Sequence, residues 1–168
     1  MYYLIKNINK FTYNVSNRVA GSMPKLSNTT TINNLKEIWI IKTRGFKLPH
    51  RLRDLPAIVS FEKKEWCIYG ARTRQTLPAV EYTNGDKEWW CHSMLHRKNA
   101  PAVIYSNGTK EWYEFDFLHR DKDLPAIVYS NGDVEYWNCG RRHRSDGPAV
   151  ICGNKKCWFV KGELIKCQ

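Results

Sequence analysis

A proline-alanine pair recurs along the chain at a nearly constant spacing. The pairs begin, at intervals of 22, 23, 24 and 23 residues, at Pro56, Pro78, Pro101, Pro125 and Pro148. A constant period indicates one small supersecondary unit that is built several times and packs mainly on its neighbours. The 168 residues are therefore predicted to form one repeat domain, and a multidomain enzyme is excluded by length.

The residues that follow each proline predict a β-hairpin. The run from Pro101 to Tyr105 is typical, because β-branched and aromatic residues favour strands and a proline is tolerated at a strand's first position. An Asn-Gly pair then predicts a two-residue type I′ turn, and a strand containing Glu-Trp or a similar pair follows. The Asn-Gly pairs begin at Asn84, Asn107 and Asn131. Glycines at Gly70, Gly140 and Gly162 mark a second turn before the next repeat.

These hairpins, joined head to tail, predict an all-β fold. We expect an antiparallel meander of hairpins of about 23 residues, forming an elongated, twisted, single-layer sheet. The aromatic content of 13% agrees with this, since aromatic side chains suit a pleated, half-buried surface. No apolar stretch approaches the roughly 20 residues that a membrane-spanning helix needs.

The two ends of the chain depart from the repeat. Residues 1–29 contain four basic residues and no acidic one, and they are predicted to be a basic tail or tether. Residues 30–168 are predicted to be the repeat domain, with residues 30–49 as a capping variant and Leu164 to Gln168 closing the other end.

The segment from Gly140 to Val150, Gly-x-x-His-Arg-x-Asp-Gly-Pro-Ala-Val, resembles a MORN-like repeat. Elsewhere in the chain Tyr-Ser-Asn-Gly-x-x-Glu-Trp adds to the likeness, which covers about residues 35–166. Because His-Arg and Pro-Ala replace the common His-Gly and Gly, the chain is similar to the divergent form found in large DNA viruses and some bacteriophages. The resemblance implies an interaction or structural scaffold, and it implies no catalytic residue.

Six cysteines are present, and no secretory signal precedes them. We expect free thiols in an intracellular protein, located in the host cytoplasm or a virion and not secreted. Only Cys152, Cys157 and Cys167 cluster, so a metal site or a disulfide near the C-terminal cap stays open as an alternative.

The recurring histidines, at His50, His96, His119 and His143, first suggest a metal site. Equivalent residues of successive hairpins lie about 10 Å apart, whereas a metal ligand lies about 2 Å from its ion. We therefore expect turn or packing histidines, no metal and no cofactor.

A glutamate column stands nine residues before an arginine column, and both occur in every complete repeat. The pairs are Glu65 and Arg74, Glu88 and Arg97, Glu111 and Arg120, and Glu135 and Arg144. A pair found in every copy predicts ion pairs across adjacent strands, since catalysis normally breaks a repeat's symmetry at one place. We expect no enzymatic activity and no catalytic residue.

Two binding hypotheses follow. An exposed aromatic face would bind protein partners, among them capsid or other virion proteins, although the same aromatics could instead form the core. The candidate residues are Trp66, Trp89, Trp90, Trp112, Tyr113, Trp137 and Trp158. The alternative is nucleic-acid binding, favoured by the net charge of +11. The candidate polyanion-binding residues are Arg74, Arg97, Arg120, Arg144, Lys6, Lys10, Arg18 and Lys25.

Overall fold

A computed structural model describes residues 2–7 and 36–168, and within these ranges every regular element is a β-strand. In this part of the chain there is accordingly no helix long and apolar enough to cross a membrane. The chain divides into two compact units, Met1–Thr83 and Asn84–Gln168, called here the N-terminal and C-terminal units.

The strands of the N-terminal unit are short after the first two. They are β1 (Tyr2–Asn7), β2 (Lys36–Thr43), β3 (Phe46–Pro49), β4 (Ile58–Val59), β5 (Lys63–Glu65), β6 (Cys67–Ile68), β7 (Ala71–Arg72) and β8 (Val80–Tyr82). One antiparallel sheet has the order β1-β2-β4-β5-β8, with β3 also paired to β2. Strands β6 and β7 form a separate two-stranded sheet.

The strands of the C-terminal unit repeat a regular set of four. They are β9 (Lys87–Glu88), β10 (Trp90–Cys91), β11 (Met94–Leu95), β12 (Val103–Ile104), β13 (Lys110–Glu111), β14 (Tyr113–Glu114), β15 (Phe117–Leu118), β16 (Ile127–Val128), β17 (Val134–Glu135), β18 (Trp137–Asn138), β19 (Arg141–Arg142), β20 (Val150–Cys152), β21 (Lys155–Val160) and β22 (Glu163–Cys167). The main sheet has the order β9-β12-β13-β16-β17-β20-β21-β22. The predicted all-β antiparallel meander of repeated hairpins is confirmed.

The repeats contain a second hairpin. In the C-terminal unit these are the pairs β10-β11, β14-β15 and β18-β19, each a two-stranded sheet of its own. The chain passes from the main sheet to the second hairpin at one aromatic residue. The backbone N–H of Trp89 donates to the Ala102 carbonyl, whereas its own carbonyl accepts from His96 N–H. The N–H and the carbonyl of this one residue thus form hydrogen bonds in two different sheets.

The turns of the two hairpins differ from the prediction. At the Asn-Gly tips only the glycine has a positive φ, 94° at Gly108 and 90° at Gly132. Tyr105 N–H donates to Thr109 O and Gly108 N–H to Tyr105 O, which defines a three-residue loop with a type I turn. The prediction of a type I′ turn at these tips is therefore wrong. Asn107 instead accepts from Thr109 N–H through its side-chain oxygen, which stabilises the alternative loop.

The two-residue turns lie in the second hairpins. At Tyr69-Gly70 and at Cys139-Gly140 both residues have positive φ, between 46° and 84°. This conformation defines the type I′ turn, whose twist matches that of the flanking strands. The glycines Gly70 and Gly140, expected from the sequence to mark a second turn, do so.

The first repeat has the same hydrogen bonds and a longer second hairpin. Trp39 N–H donates to Ala57 O, and His50 N–H donates to Trp39 O, as in later repeats. The second hairpin is formed here by the end of β2 and by β3, with four residue pairs in place of the usual two. Residues Tyr2–Asn7, within the predicted tail, form β1 and pair with β2. The rest of that tail lies outside the described residues.

A disulfide joins Cys157 to Cys167 across β21 and β22. The two residues are direct partners in the strand register, with a Cα–Cα distance of 4.1 Å. The expectation of free thiols is thus wrong for these two cysteines, because hairpin pairing brings residues ten positions apart face to face. Among the described residues Cys67, Cys91, Cys139 and Cys152 are free thiols.

Candidate protein-binding face

The two faces of the main sheet of the C-terminal unit have different environments. Strand register places Val103, Glu111, Ile127 and Glu135 side by side on one face, here called the covered face. Val103 and Ile127 are 4% and 6% exposed, so this face contributes to the core. The carboxylates among these apolar side chains need partners, because an unpaired buried charge is costly.

Side chains of the second hairpins are those partners. Trp90 Nε1–H donates to Glu88 at 2.8 Å, and Tyr113 O–H donates to Glu111 at 3.0 Å. Burial, with a further contribution from Glu111, raises the pKa of Tyr113 well above its ordinary range. The second hairpins are therefore held against the covered face by hydrogen bonds to half-buried carboxylates.

Glu135 makes three contacts of this kind. Its carboxylate accepts from Trp137 Nε1–H at 2.9 Å, from Tyr129 O–H at 3.0 Å and from Arg142 Nε–H at 3.0 Å. Burial, together with Glu135, raises the pKa of Tyr129 to about 12.

The predicted glutamate-arginine pairing is corrected by these contacts. Glu65 pairs with Arg72, and Glu135 pairs with Arg142, in each case seven residues away rather than nine. Burial alone would raise the pKa of Glu65, but Arg72 and Lys63 outweigh it, so the pKa lies below its usual value. The arginine nine residues after Glu65, Arg74, pairs instead with Asp54 and Glu81.

The arginine column stacks on the first aromatic column, on the opposite face of the sheet. The Arg97 guanidinium carbon lies 3.8 Å from the centroid of the Trp89 ring, and Arg120 lies at the same distance from Trp112. Each guanidinium also donates to the carbonyl of the next proline, at 3.3 Å for Arg97 and 3.1 Å for Arg120. Burial lowers the pKa of both arginines. Arg74 stacks likewise on Trp66, and Arg144 on Tyr136.

The structure thus divides the predicted binding aromatics between the two faces. Trp66, Trp89 and Trp112 lie beneath arginines, and Trp158 lies beneath Lys166 at 4.3 Å. The other three, Trp90, Tyr113 and Trp137, bind the glutamates of the covered face. All seven therefore have contacts within the fold.

The candidate polyanion-binding residues are placed as follows. The four arginines form the stacks just described, and the Arg74 side chain is 10% exposed. Lys6 lies in β1, and Lys10, Arg18 and Lys25 lie outside the described residues.

The stacks leave one row of the same face uncovered, here called the open row. Strand register aligns its seven residues across neighbouring strands of the C-terminal unit. In strand order they are Lys87, Ile104, Lys110, Val128, Val134, Ile151 and Lys156. The three lysines are exposed and the four aliphatic side chains are half-buried. No acidic residue occupies the row.

The corresponding row of the N-terminal unit is different. It contains Glu37, Val59, Lys64 and Glu81 as successive register partners. Glu81 there binds Arg74 at 3.1 Å, so an acidic side chain takes the place that Ile104 and Ile151 have in later repeats. The uniformly basic and aliphatic row is thus a property of the C-terminal unit. The lysine and aliphatic columns recur in the sequence, but the predicted binding residues were the aromatic and arginine columns and the basic residues of the N-terminal segment.

The recurring histidines join neighbouring repeats. Nδ1 of His119 accepts from Cys139 N–H at 3.3 Å, and Nδ1 of His143 accepts from Lys161 N–H at 3.4 Å. His96 differs, since its ring stacks on Phe115 with centroids 4.2 Å apart. These are the contacts expected of turn and packing histidines. Among residues 2–7 and 36–168 no group of three His, Cys, Asp or Glu side chains is placed to hold a metal ion.

Comparisons with protein-family models, with curated proteins and with solved structures found no significant match. The likeness to MORN-like repeats accordingly rests on the repeated residues of the chain itself.

Proposed function

We propose that this protein is a non-catalytic repeat scaffold that binds another protein through the open row of its C-terminal unit. The supporting observation is the contrast between the two faces of one sheet. The covered face has its own second layer of side chains, whereas the open row presents exposed lysines beside four half-buried aliphatic residues. A contiguous apolar strip bordered by charged groups is typical of an interaction surface.

The contacts made by the other repeated residues support the same proposal. Arginine, histidine and glutamate columns, represented by Arg120, His119 and Glu135, are engaged in stacks, turn contacts and buried hydrogen bonds. Residues engaged in this way hold one repeat to the next, as in a scaffold whose surface is the binding site.

Nucleic-acid binding remains the alternative proposal. It is favoured by the net charge of +11 and by the basic residues of the N-terminal segment. The arginine ladder supports it less than the sequence suggested, since the guanidiniums of Arg97 and Arg120 stack on tryptophan rings and each already donates to a proline carbonyl.

The resemblance to divergent MORN-like repeats extends the proposal to a virion-associated role in a large DNA virus. Mass spectrometry of purified particles tests that extension, and absence of the chain from them would refute it. The disulfide at Cys157 bears on the expected intracellular location, because disulfides persist mainly in oxidising compartments. The location therefore stays a prediction.

Selection from two libraries tests the binding proposal. The full chain is panned against random displayed peptides and, separately, against random single-stranded DNA. We expect enriched peptides that slow amide hydrogen exchange in β12, β16 and β20. Failure to enrich any peptide, or enrichment of DNA alone, would overturn the proposal in favour of nucleic-acid binding.

A further inference from the structure

We infer that the open row docks an acidic polypeptide segment with apolar residues between its carboxylates; this inference rests on the proposed function above. All charged side chains of the row are lysines, Lys87, Lys110 and Lys156, and each is exposed. Charge complementarity therefore calls for carboxylates on the partner. The lysines also repel basic partners, so the row contributes specificity as well as attraction.

The lysines of the row lie toward its two ends, and most of its aliphatic residues lie between them. Neighbouring strands lie about 4.8 Å apart, so Lys87 and Lys110 are separated by about 10 Å across Ile104. Lys110 and Lys156 are separated by four strand steps, about 19 Å. The interval contains Val128, Val134 and Ile151. A complementary segment thus has an apolar centre with carboxylates toward its ends.

The chemistry of the row favours a polypeptide over a nucleic acid. Binding of single strands relies on exposed aromatic rings and free guanidinium groups. Here the rings of Trp89 and Trp112 lie beneath Arg97 and Arg120, whose guanidiniums also donate to proline carbonyls. What the row exposes is lysine ammonium groups and aliphatic carbon, which match apolar side chains between carboxylates.

The chain offers a closely matched control for the lysines. Lys155 and Lys156 are adjacent in β21, both are exposed, and register places them on opposite faces of the strand. Lys161, in the following turn, is also exposed and outside the row. The double variants K110Q/K156Q and K155Q/K161Q therefore remove the same charge, one pair from the row and one pair from elsewhere.

Fluorescence anisotropy with labelled synthetic peptides of about 14 residues tests the inference. The probes contain glutamate with leucine, glutamate with serine, or lysine with leucine, and single-stranded DNA and phosphatidylserine vesicles are the non-protein probes. We expect the glutamate-leucine peptide to bind the full chain and to bind less tightly as salt rises. The glutamate-serine peptide should bind about tenfold more weakly, because it buries no apolar surface, and the lysine-leucine peptide should not bind.

The variants connect this binding to the row. We expect K110Q/K156Q to weaken glutamate-leucine binding by about fivefold to tenfold, as the loss of two exposed charge pairs implies, and K155Q/K161Q to change it less than about twofold. V128T/V134T, which keeps strand propensity, should weaken it by about fivefold. Circular dichroism and thermal unfolding verify that each variant is folded.

Three results would overturn the inference: equal losses in the two lysine variants, equal binding of the glutamate-serine peptide, or tighter binding of DNA or vesicles than of any peptide. Its failure is distinguishable from that of the proposed function. If library peptides protect the open row but are neutral or basic, the scaffold proposal stands and the acidic partner is refuted.

Discussion

Nδ1 of His50 accepts a hydrogen bond from the backbone N–H of Tyr69 at 3.0 Å, so a side chain of one repeat holds the second turn of the next. The bond requires the tautomer with its proton on Nε2, because Nδ1 must be unprotonated to accept. His50 is 1% exposed, and this burial lowers its pKa. Above about pH 6.5 the imidazole is therefore neutral in the folded N-terminal unit.

Acidification should destabilise the N-terminal unit through His50. Since the folded pKa lies below that of the unfolded chain, the stabilisation is fully present above about pH 6.5 and is lost as the pH falls below it through the folded pKa. Urea unfolding between pH 8 and pH 5 measures the slope. We expect a smaller slope in H50N, whose amide oxygen can replace Nδ1, and the wild-type slope in H92N, which alters an exposed turn histidine. Equal slopes of stability against pH in H50N and wild type would refute this role of His50.

Removal of Arg120 should destabilise the C-terminal unit. Its guanidinium stacks on Trp112 at 3.8 Å and donates to Pro125 O at 3.1 Å, so R120A loses a cation–π contact and a hydrogen bond. We expect the free energy of unfolding to fall by about 1–2 kcal/mol. R120K should recover only part of it, because an ammonium lacks the planar guanidinium. R141A, at an exposed arginine, is the control. Equal unfolding midpoints for R120A and R141A in guanidinium chloride would contradict the stacking role.

Loss of the Cys157–Cys167 disulfide should loosen the C-terminal hairpin. The bond closes a loop of ten residues, for which chain-entropy arguments give about 2–3 kcal/mol. Amide exchange in β21 and β22 should therefore accelerate in the reduced protein and in C157S/C167S. C152S, at an exposed free thiol, is the control. Unchanged exchange in C157S/C167S would show that strand pairing alone holds this end.

Substitution of Gly132 tests the three-residue loop. Gly132 has a φ of 90°, and beyond its chain neighbours no atom lies within 4 Å of a Cβ placed there, so G132A introduces backbone strain without a clash. We expect a loss of about 1 kcal/mol in thermal unfolding and a smaller loss for G132N, since asparagine tolerates this conformation better. Asn131 has no positive φ, so N131A should lose only the bonds to Asp133. A larger loss in N131A than in G132A would favour the type I′ turn.

Much of the local structure could be predicted from the sequence. Pro101, the Asn-Gly tips and Gly140 have conformational preferences that act within a few residues, so strand starts and turn positions follow from them. The turn type at Gly108 could not be predicted, because Asn-Gly is compatible with two loops and the side-chain bond of Asn107 decides between them.

The second hairpin and the site depended on contacts far apart in the chain. Nothing local to Trp89 indicates that its N–H and its carbonyl bond to different sheets, since the partners are Ala102 and His96. The exposure of the aromatic side chains also could not be read locally, because it depends on which arginine or glutamate contacts each ring in the folded chain.

The repeat period, the all-β class and the positions of the turns were determined by the sequence alone, because proline, glycine and β-branched residues act on their own backbone. Only the tertiary structure decided which face of the sheet is covered. Strand register and the break at each aromatic residue place the glutamates beneath the second hairpins and leave the row from Lys87 to Lys156 open. Register is a relation between distant strands, and the physical reason is that a shift of one residue moves every side chain to the other face.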